Sequence, residues 1–228
     1  MNQVILKSKN INDIVNWALN PFPNGLTYSV TKTSELTAEQ IRKKAQLKEK
    51  EWGNKAINQN NNGNWTTLLG EGLVYDILTL LGENPRRPEK MNGYSPDWET
   101  DNCIYEVKTR NWCTSGTAGE KVFGTMYKYS DIPLLYQKPL KIICIAYQEY
   151  ELSNGTTKIF GIDDELSNRK KTFLQLARSY DIEYVKFSDL FSKLPKDTLE
   201  NVLTNNTSNN EEYIKEIVSD IVDNVIKT

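Results

Sequence analysis

The sequence contains no histidine. Because Ser-His-Asp triads, Cys-His pairs and His-ligated zinc sites all need an imidazole, these chemistries are excluded. The three cysteines, Cys103, Cys113 and Cys144, form no CxxC pair and no zinc-type spacing, and their odd number does not indicate a disulfide framework. Any chemistry must therefore rest on carboxylates, lysine, tyrosine or the backbone, and a reducing, cytoplasmic setting is expected.

Long apolar runs are also missing from the sequence. No run approaches the roughly 18 residues that a membrane-spanning helix needs, and Met1–Asn10 has no apolar segment of the signal-peptide type. The chain has 228 residues, of which 38% are hydrophobic, so it is long enough to bury one sizeable core. We expect a soluble, intracellular protein without a membrane partner.

The charge is nearly balanced overall, with 28 Lys and Arg against 30 Asp and Glu. The charge is nevertheless unevenly distributed along the chain. Residues 1–60 carry nine basic and five acidic side chains, whereas residues 196–228 carry three basic and seven acidic side chains. A basic segment is typical of a surface that meets nucleic acid phosphates. The first 60 residues are therefore expected to form a helical arm for DNA binding or dimerisation.

Two helices are predicted in this arm. Apolar spacing predicts the first over 11–19, and a capping box at Thr37 and Gln40 predicts a second that ends at Gly53. The second helix is mostly charged, which leaves open whether it is a solvated surface helix, a phosphate-tracking arm or a dimer contact. An Asn-rich loop at 58–64 marks the boundary to a core at 61–195, and 196–228 is predicted to add an amphipathic helix to the same globular unit.

The rest of the chain predicts a mixed order of helices and strands. An amphipathic helix is expected over 65–81, because Gly82 and Pro85 prevent its continuation. Strands are expected near 87–91, 94–98, 104–109, 142–147, 158–162 and 183–187, with a hairpin turn at 100–102. Further helices are expected near 120–136, near 167–180 and from about 210. The strand at 158–162 is expected to pair with 142–147 across a turn at Asn154-Gly155. The fold class is therefore α/β, a central mixed β-sheet flanked by helices, with helical additions at both ends.

The most informative stretch for chemistry runs from 95 to 110. Strand alternation sends Glu106, Lys108 and Arg110 to one face, which is an unusual row of charges. In a hairpin, Asp97 lies opposite Glu106, so that both carboxylates can share one divalent cation. Lys108 then reaches the attacking water or a scissile phosphate. The alternative is a solvent-exposed strand with a cross-strand ion pair.

These residues resemble a known signature. Pro96-Asp97, followed after eight residues by Glu106-Val107-Lys108, is similar to the motif of the PD-(D/E)XK nuclease superfamily. The resemblance implies a restriction-endonuclease-like core of a helix, three antiparallel strands, a helix and a further strand, an order that residues 64–190 follow. It also implies Mg²⁺, with Mn²⁺ as a substitute, held by Asp97, Glu106 and the Val107 carbonyl.

Two further groups of residues are assigned beside this motif. Glu71, between Gly70 and Gly72, matches an additional acidic residue that the superfamily often carries on the preceding helix, although a solvated glutamate is the alternative. Charged, amide, aromatic and hydroxyl side chains follow the motif strand and are predicted to bind DNA: Arg110, Asn111, Trp112, Thr114, Ser115, Thr117, Lys121 and Lys128. An ordinary strand-to-helix loop is the alternative for this segment.

Within the superfamily, the chain is most similar to a type II restriction endonuclease. The resemblance implies Mg²⁺-dependent hydrolysis of double-stranded DNA to 5′-phosphate ends, by a cytoplasmic homodimer with Asp97, Glu106, Lys108 and Glu71 as catalytic residues. Three alternatives stay open: a structure-specific repair or recombination nuclease, a catalytically silent DNA-binding module, and a glycosidase with Asp97 and Glu106 as its carboxylate pair. Lys108 beside the carboxylates disfavours the glycosidase.

Overall fold

A computed structural model describes residues 11–20, 35–114, 119–161 and 166–199. Eight helices and four strands lie wholly within these ranges, and residues 196–199 are also helical. The helices are α1 (Ile11–Leu19), α2 (Ala38–Ala56), α3 (Trp65–Leu80), α4 (Lys121–Lys128), α5 (Ile132–Tyr136), α6 (Tyr147–Asn154), α7 (Asn168–Ser179) and α8 (Phe187–Phe191). The strands are β1 (Trp98–Glu99), β2 (Ile104–Arg110), β3 (Leu140–Ala146) and β4 (Ile182–Lys186). No helix in the described ranges is long and apolar enough to cross a membrane.

The four strands form one mixed sheet in the order β1-β2-β3-β4. β1 and β2 form an antiparallel hairpin in which Trp98 is paired with Tyr105. β2, β3 and β4 are parallel, with Glu106 opposite Ile142 and Ile142 opposite Tyr184. Parallel neighbours need crossover connections, which α4 and α5 provide before β3, and α6 and α7 before β4. The predicted mixed sheet with flanking helices is therefore confirmed.

Each face of the sheet has its own hydrophobic core, because side chains alternate along each strand. Tyr105, Val107 and Ile143 belong to the core that includes α1, α3 and α8. Ile104 and Ile142 belong to the second core, which includes α4, α5 and α7. By the same alternation, the charged side chains at positions 106 and 108 lie on the α4 face. Glu106 and Lys108 therefore lie at the border of the second core.

The two N-terminal helices pack on α3 through a cluster of tryptophans. The ring centroids of Trp17 and Trp52 lie 5.9 Å apart, and those of Trp52 and Trp65 lie 6.2 Å apart. The predicted helix end at Gly53 is wrong, because α2 continues through this residue to Ala56. A Cβ at Gly53 would lie only 2.0 Å from a ring atom of Trp65, so this glycine permits close helix packing instead of ending the helix.

Other boundaries differ from the sequence expectation. The chain passes directly from β3 into α6 at Ala146, which adopts φ 57° and ψ −131°, and Gly155 follows the end of α6. The predicted hairpin at Asn154-Gly155 is therefore wrong, and the described part of 158–162 is not a strand. The predicted helix over 120–136 divides into α4 and α5. The strands predicted near 87–91 and 94–98 are not formed; this part of the chain contains only isolated bridges and the short strand β1. The helix predicted from about 210 lies outside the described residues.

Candidate active site

The hairpin of β1 and β2 places Asp97 beside the second strand. The backbone N–H of Asp97 donates to the Tyr105 carbonyl at 3.1 Å, which continues the ladder one residue before β1. In return, the Val107 N–H donates to Asp97 Oδ2 at 2.7 Å. Since the N–H and C=O of a strand residue point to the same edge, the Val107 carbonyl also faces the Asp97 side. Asp97 and Val107 are thus adjacent, as the sequence predicts.

Glu106 and Lys108 form a close ion pair on the α4 face of β2. Lys108 Nζ lies 2.5 Å from Glu106 Oε1, and the side chain of Glu106 is only 5% exposed. The second carboxylate oxygen of Glu106, Oε2, is buried without a hydrogen-bond partner among the described residues. A buried carboxylate oxygen without a partner is costly, so the site has unused capacity to accept a proton donor or a cation.

Glu71 lies on α3, where its buried side chain is held by an arginine that the sequence did not single out. Arg87 Nη2 lies 2.5 Å from Glu71 Oε2, and Arg87 Nη1 donates to the Asp97 carbonyl at 2.8 Å. The guanidinium carbon lies 4.1 Å from the ring centroid of Trp98. Trp98 Nε1 in turn donates to the Glu71 carbonyl at 2.9 Å. Arg87 and Trp98 therefore fix α3 and its acidic residue against the hairpin.

Gly70 lets α3 approach β2 closely at this point. A Cβ at position 70 would lie 1.8 Å from Thr109 Oγ1 and 2.9 Å from Thr109 Cβ. These distances are far below normal contact, so no larger residue fits without movement of helix or strand. The predicted close approach of this helix to the sheet is observed at Gly70.

We expect Gly70→Ala to lower the free energy of unfolding by about 1–3 kcal/mol, because overpacking outweighs the higher helix propensity of alanine. The measurement is urea denaturation. The matched control is Gly124→Ala on α4, because a Cβ there would meet no atom within 4 Å. The control is expected to be neutral or more stable by about 0.5–1 kcal/mol. Equal effects of the two substitutions would contradict the packing argument.

Burial and the neighbouring carboxylates raise the proton affinity of Asp97. Burial, followed by the charges of Glu106 and Glu71, raises the pKa of Asp97 to about 7, against the opposing effect of its bond from Val107 and the charge of Lys108. Burial and the charge of Glu106 also raise the pKa of Tyr129 to about 12, so this buried phenol stays protonated at neutral pH. The four predicted catalytic residues are therefore close enough to interact.

Oxygen atoms are the ligands that this site offers to a divalent cation. The described residues contain no group of three or more His, Cys, Asp or Glu side chains that could hold a metal ion. The carboxylates of Asp97 and Glu106 nevertheless lie close enough for their charges to interact, and Val107 bonds directly to Asp97 through its N–H. A cation would give Oε2 of Glu106 a partner, and it would offset the burial and the carboxylate charges that raise the pKa of Asp97. Oxygen ligands of this kind suit Mg²⁺, which usually keeps several waters.

Arg110 and Asn111, which are predicted to bind DNA, are held by partners inside the protein. Arg110, with a side chain only 10% exposed, is paired with Glu151 and donates to the Thr114 carbonyl at 3.1 Å. Asn111 is buried and donates to Glu49 Oε2 on α2 at 2.6 Å. Both side chains therefore tie the end of β2 to neighbouring elements.

The other predicted DNA-binding residues differ in accessibility. Lys121 and Lys128 at the two ends of α4 are exposed, and Lys128 Nζ lies 2.9 Å from the hydroxyl of Tyr129. Trp112 and Thr114 are half-buried. Ser115 and Thr117 lie outside the described residues. The lysines of α4 are therefore the accessible cations of this set.

Sequence reasoning missed Arg87 and Tyr129 as members of the site. Arg86 and Arg87 are adjacent and chemically identical, and only the bridge between Arg86 and Glu99 shows which of them points to the carboxylates. Tyr129 lies just after α4, at a helix end that the sequence did not reveal. Comparison of the chain with known families, curated proteins and solved structures finds no significant match.

Proposed function

We propose that the protein is a Mg²⁺-dependent endonuclease that hydrolyses phosphodiesters of double-stranded DNA in the manner of a type II restriction enzyme. The observation that carries the proposal is the close arrangement of Asp97, Glu106 and Lys108 on one hairpin, with Lys108 Nζ 2.5 Å from Glu106 Oε1. Carboxylates for a cation beside a lysine for the reacting oxygen suit phosphoryl transfer without histidine.

The residues have distinct roles in this proposal. Asp97, Glu106 and the Val107 carbonyl hold the cation, and a bound Mg²⁺ would lower the pKa of water and polarise the phosphate. Lys108 orients the attacking water and offsets negative charge at the phosphate. Arg87 keeps Glu71 and the Asp97 backbone in place. Tyr129, as a protonated phenol, borders the Glu106 carboxylate.

Cleavage of both strands at a palindromic site requires two active sites, so we propose a homodimer. Its contact is assigned to α2 or to the C-terminal segment. Leu47 on α2 supports the first choice, because it is a large apolar side chain that is 69% exposed. The products carry 5′-phosphate and 3′-hydroxyl ends, and the enzyme acts in the cytoplasm.

The test is incubation of supercoiled plasmid with the protein and Mg²⁺. We expect discrete bands that disappear with EDTA and a rate lower by roughly 10²–10⁴-fold in Lys108→Ala. Lys141→Ala is the matched control, because Lys141 lies on β3 opposite Tyr105 and away from the carboxylates.

Two other outcomes of this experiment would each indicate a different function. Cleavage confined to branched DNA would identify a structure-specific repair or recombination nuclease. Binding of DNA without cleavage in Mg²⁺ or Mn²⁺ would identify a silent DNA-binding module, and it would contradict the nuclease proposal.

A further inference from the structure

A cleft of about 430 Å³ opens on the α4 side of β2, directly beside Lys108. It is lined by Lys108, Thr109, Lys121, Val122, Gly124, Thr125, Lys128 and Gln148. Three of these residues are lysines and none is acidic, although the chain as a whole carries two more acidic than basic residues. The cleft is therefore a local concentration of positive charge.

The packing of α4 produces this arrangement. Val122 and Met126 are buried in the second core, and they fix the rotation of the helix. Lys121, Thr125 and Lys128 are spaced by four and three residues, so they share another face of the helix. That face borders the end of β2, where Lys108 is found. The lysines are thus held along one wall of the cleft by the core behind them.

The floor of the cleft offers neutral polar groups. Gln148 is 3% exposed and Thr125 is 4% exposed, so both are buried polar residues that line the cleft. Gln148 is placed there by the abrupt turn at Ala146, and its Nε2 lies 3.4 Å from the Gly119 carbonyl. Gly124 adds no side chain, and a Cβ there would meet no atom within 4 Å. A side chain introduced at position 124 would therefore project into open space.

We propose that this cleft binds a phosphate group, namely the backbone phosphate next to the bond that Lys108 and the carboxylates attack. This inference rests on the proposed function. Lys108 contacts the phosphate that reacts, and Lys121 and Lys128 line the same cleft beside it. Lysines serve as point charges for phosphate oxygens, and neighbouring phosphates of one strand are close enough to occupy successive positions. The lysines position the strand, and they carry no sequence information.

The first experiment measures the salt dependence of binding. A fluorescein-labelled 30-base-pair duplex of random sequence is titrated with protein without divalent cations, and binding is followed by anisotropy. Lys121→Ala and Lys128→Ala should each reduce the slope of log K against log[salt] by about 0.9, because each removes one phosphate contact. Lys193→Ala should leave the slope unchanged, because this exposed lysine follows α8 on the opposite face of the sheet.

A second pair of variants tests the cleft without removing any lysine. Gly124→Glu and Gly124→Gln introduce side chains of equal size, and only the former adds negative charge. We expect Gly124→Glu to bind the duplex roughly five- to tenfold more weakly than Gly124→Gln at 0.15 M salt. Equal melting temperatures of the two variants establish that the difference does not come from folding.

The outcomes separate this inference from the proposed function. If the cleft variants bind the duplex with unchanged salt slopes, the proposed phosphate site is wrong, but the nuclease proposal is unaffected. If the duplex is not bound, sodium pyrophosphate becomes the probe. A thermal shift with pyrophosphate that Lys121→Ala abolishes would support a free phosphate as the ligand, and it would count against the nuclease. No response to either probe would overturn the proposed phosphate site, whereas the nuclease proposal is decided separately by plasmid cleavage in Mg²⁺.

Discussion

Replacing Asp97 by asparagine is expected to reduce Mg²⁺-dependent cleavage by roughly 10²–10³-fold and, in the absence of metal, to stabilise the folded chain above pH 7. The loss of activity follows because the amide carries no charge for the cation. The gain in stability follows because the folded chain buries the Asp97 carboxylate and also places it near those of Glu106 and Glu71. Both effects have the same origin, the placement of three acidic side chains close together.

The pH range follows from the direction of the shift. The pKa of Asp97 is raised from 3.8 to about 7, so the folded state binds this proton more tightly than the unfolded chain does. The stability that the tighter proton binding contributes is fully present below pH 3.8, and it is lost as the pH rises through about 7. Above that pH the ionised carboxylate destabilises the fold. Asparagine removes this penalty and keeps an oxygen that can accept from the Val107 N–H.

Thermal unfolding in EDTA at pH 4 and pH 8 tests the prediction. At pH 8 we expect Asp97→Asn to be more stable by about 2 kcal/mol, which corresponds to roughly 4–8 °C in Tm, and at pH 4 to be close to the unmodified protein. Asp101→Asn is the matched control. Asp101 is 77% exposed and pairs with Arg86, so its removal should change stability by at most about 1 kcal/mol. A lower stability of Asp97→Asn at pH 8 would overturn the interpretation of the carboxylate cluster.

The hairpin and its acidic residues could be predicted because their contacts are local. Asp97 and Glu106 are nine positions apart, and a turn at 100–102 with alternating side chains is enough to bring them together. The apolar spacing predicts the helix that carries Glu71, and the flanking glycines predict its close approach to the sheet, which Gly70 makes against Thr109. The sequence pattern therefore predicts a group of carboxylates and one lysine.

The missed contacts depend on residues far apart in the sequence. Arg110 carries the charge that a DNA-binding residue needs, but Glu151, 41 residues away, pairs with it. Asn111 bonds to Glu49, 62 residues away on a helix whose charged composition indicated a solvated surface. Only the packing of α2 and α6 against the end of β2 decides these partners. Residue type alone could not separate them from the exposed lysines of α4.

Arg87 is expected to limit the number of cations that the site binds. Its guanidinium lies 2.5 Å from Glu71 Oε2 and 3.9 Å from Asp97 Oδ1, between the two carboxylates. A fixed positive charge in this position disfavours a second divalent cation. We therefore expect one Mn²⁺ per chain in the unmodified protein and two in Arg87→Ala, where the Glu71 and Asp97 carboxylates have lost their counter-charge.

The same substitution should weaken the fold without metal. Removal of one partner leaves Glu71 buried and uncompensated, which is strongly destabilising for a fully buried pair. Because the Arg87 side chain is 47% exposed, we expect a smaller loss of about 1–2 kcal/mol. Arg87→Lys should be intermediate, since lysine keeps the charge but cannot bind the Glu71 carboxylate and the Asp97 carbonyl with one planar fork. Saturating Mn²⁺ should restore the stability of Arg87→Ala.

Calorimetric titration with Mn²⁺ gives the stoichiometry, and urea denaturation in EDTA and in Mn²⁺ gives the stability. Arg86→Ala is the matched control, because this neighbouring arginine pairs with Glu99 and Asp101 outside the carboxylate cluster. It should leave one Mn²⁺ site and change stability by at most about 1 kcal/mol. Two Mn²⁺ ions in the unmodified protein, or one ion with unchanged affinity in Arg87→Ala, would show that the guanidinium does not exclude a second cation.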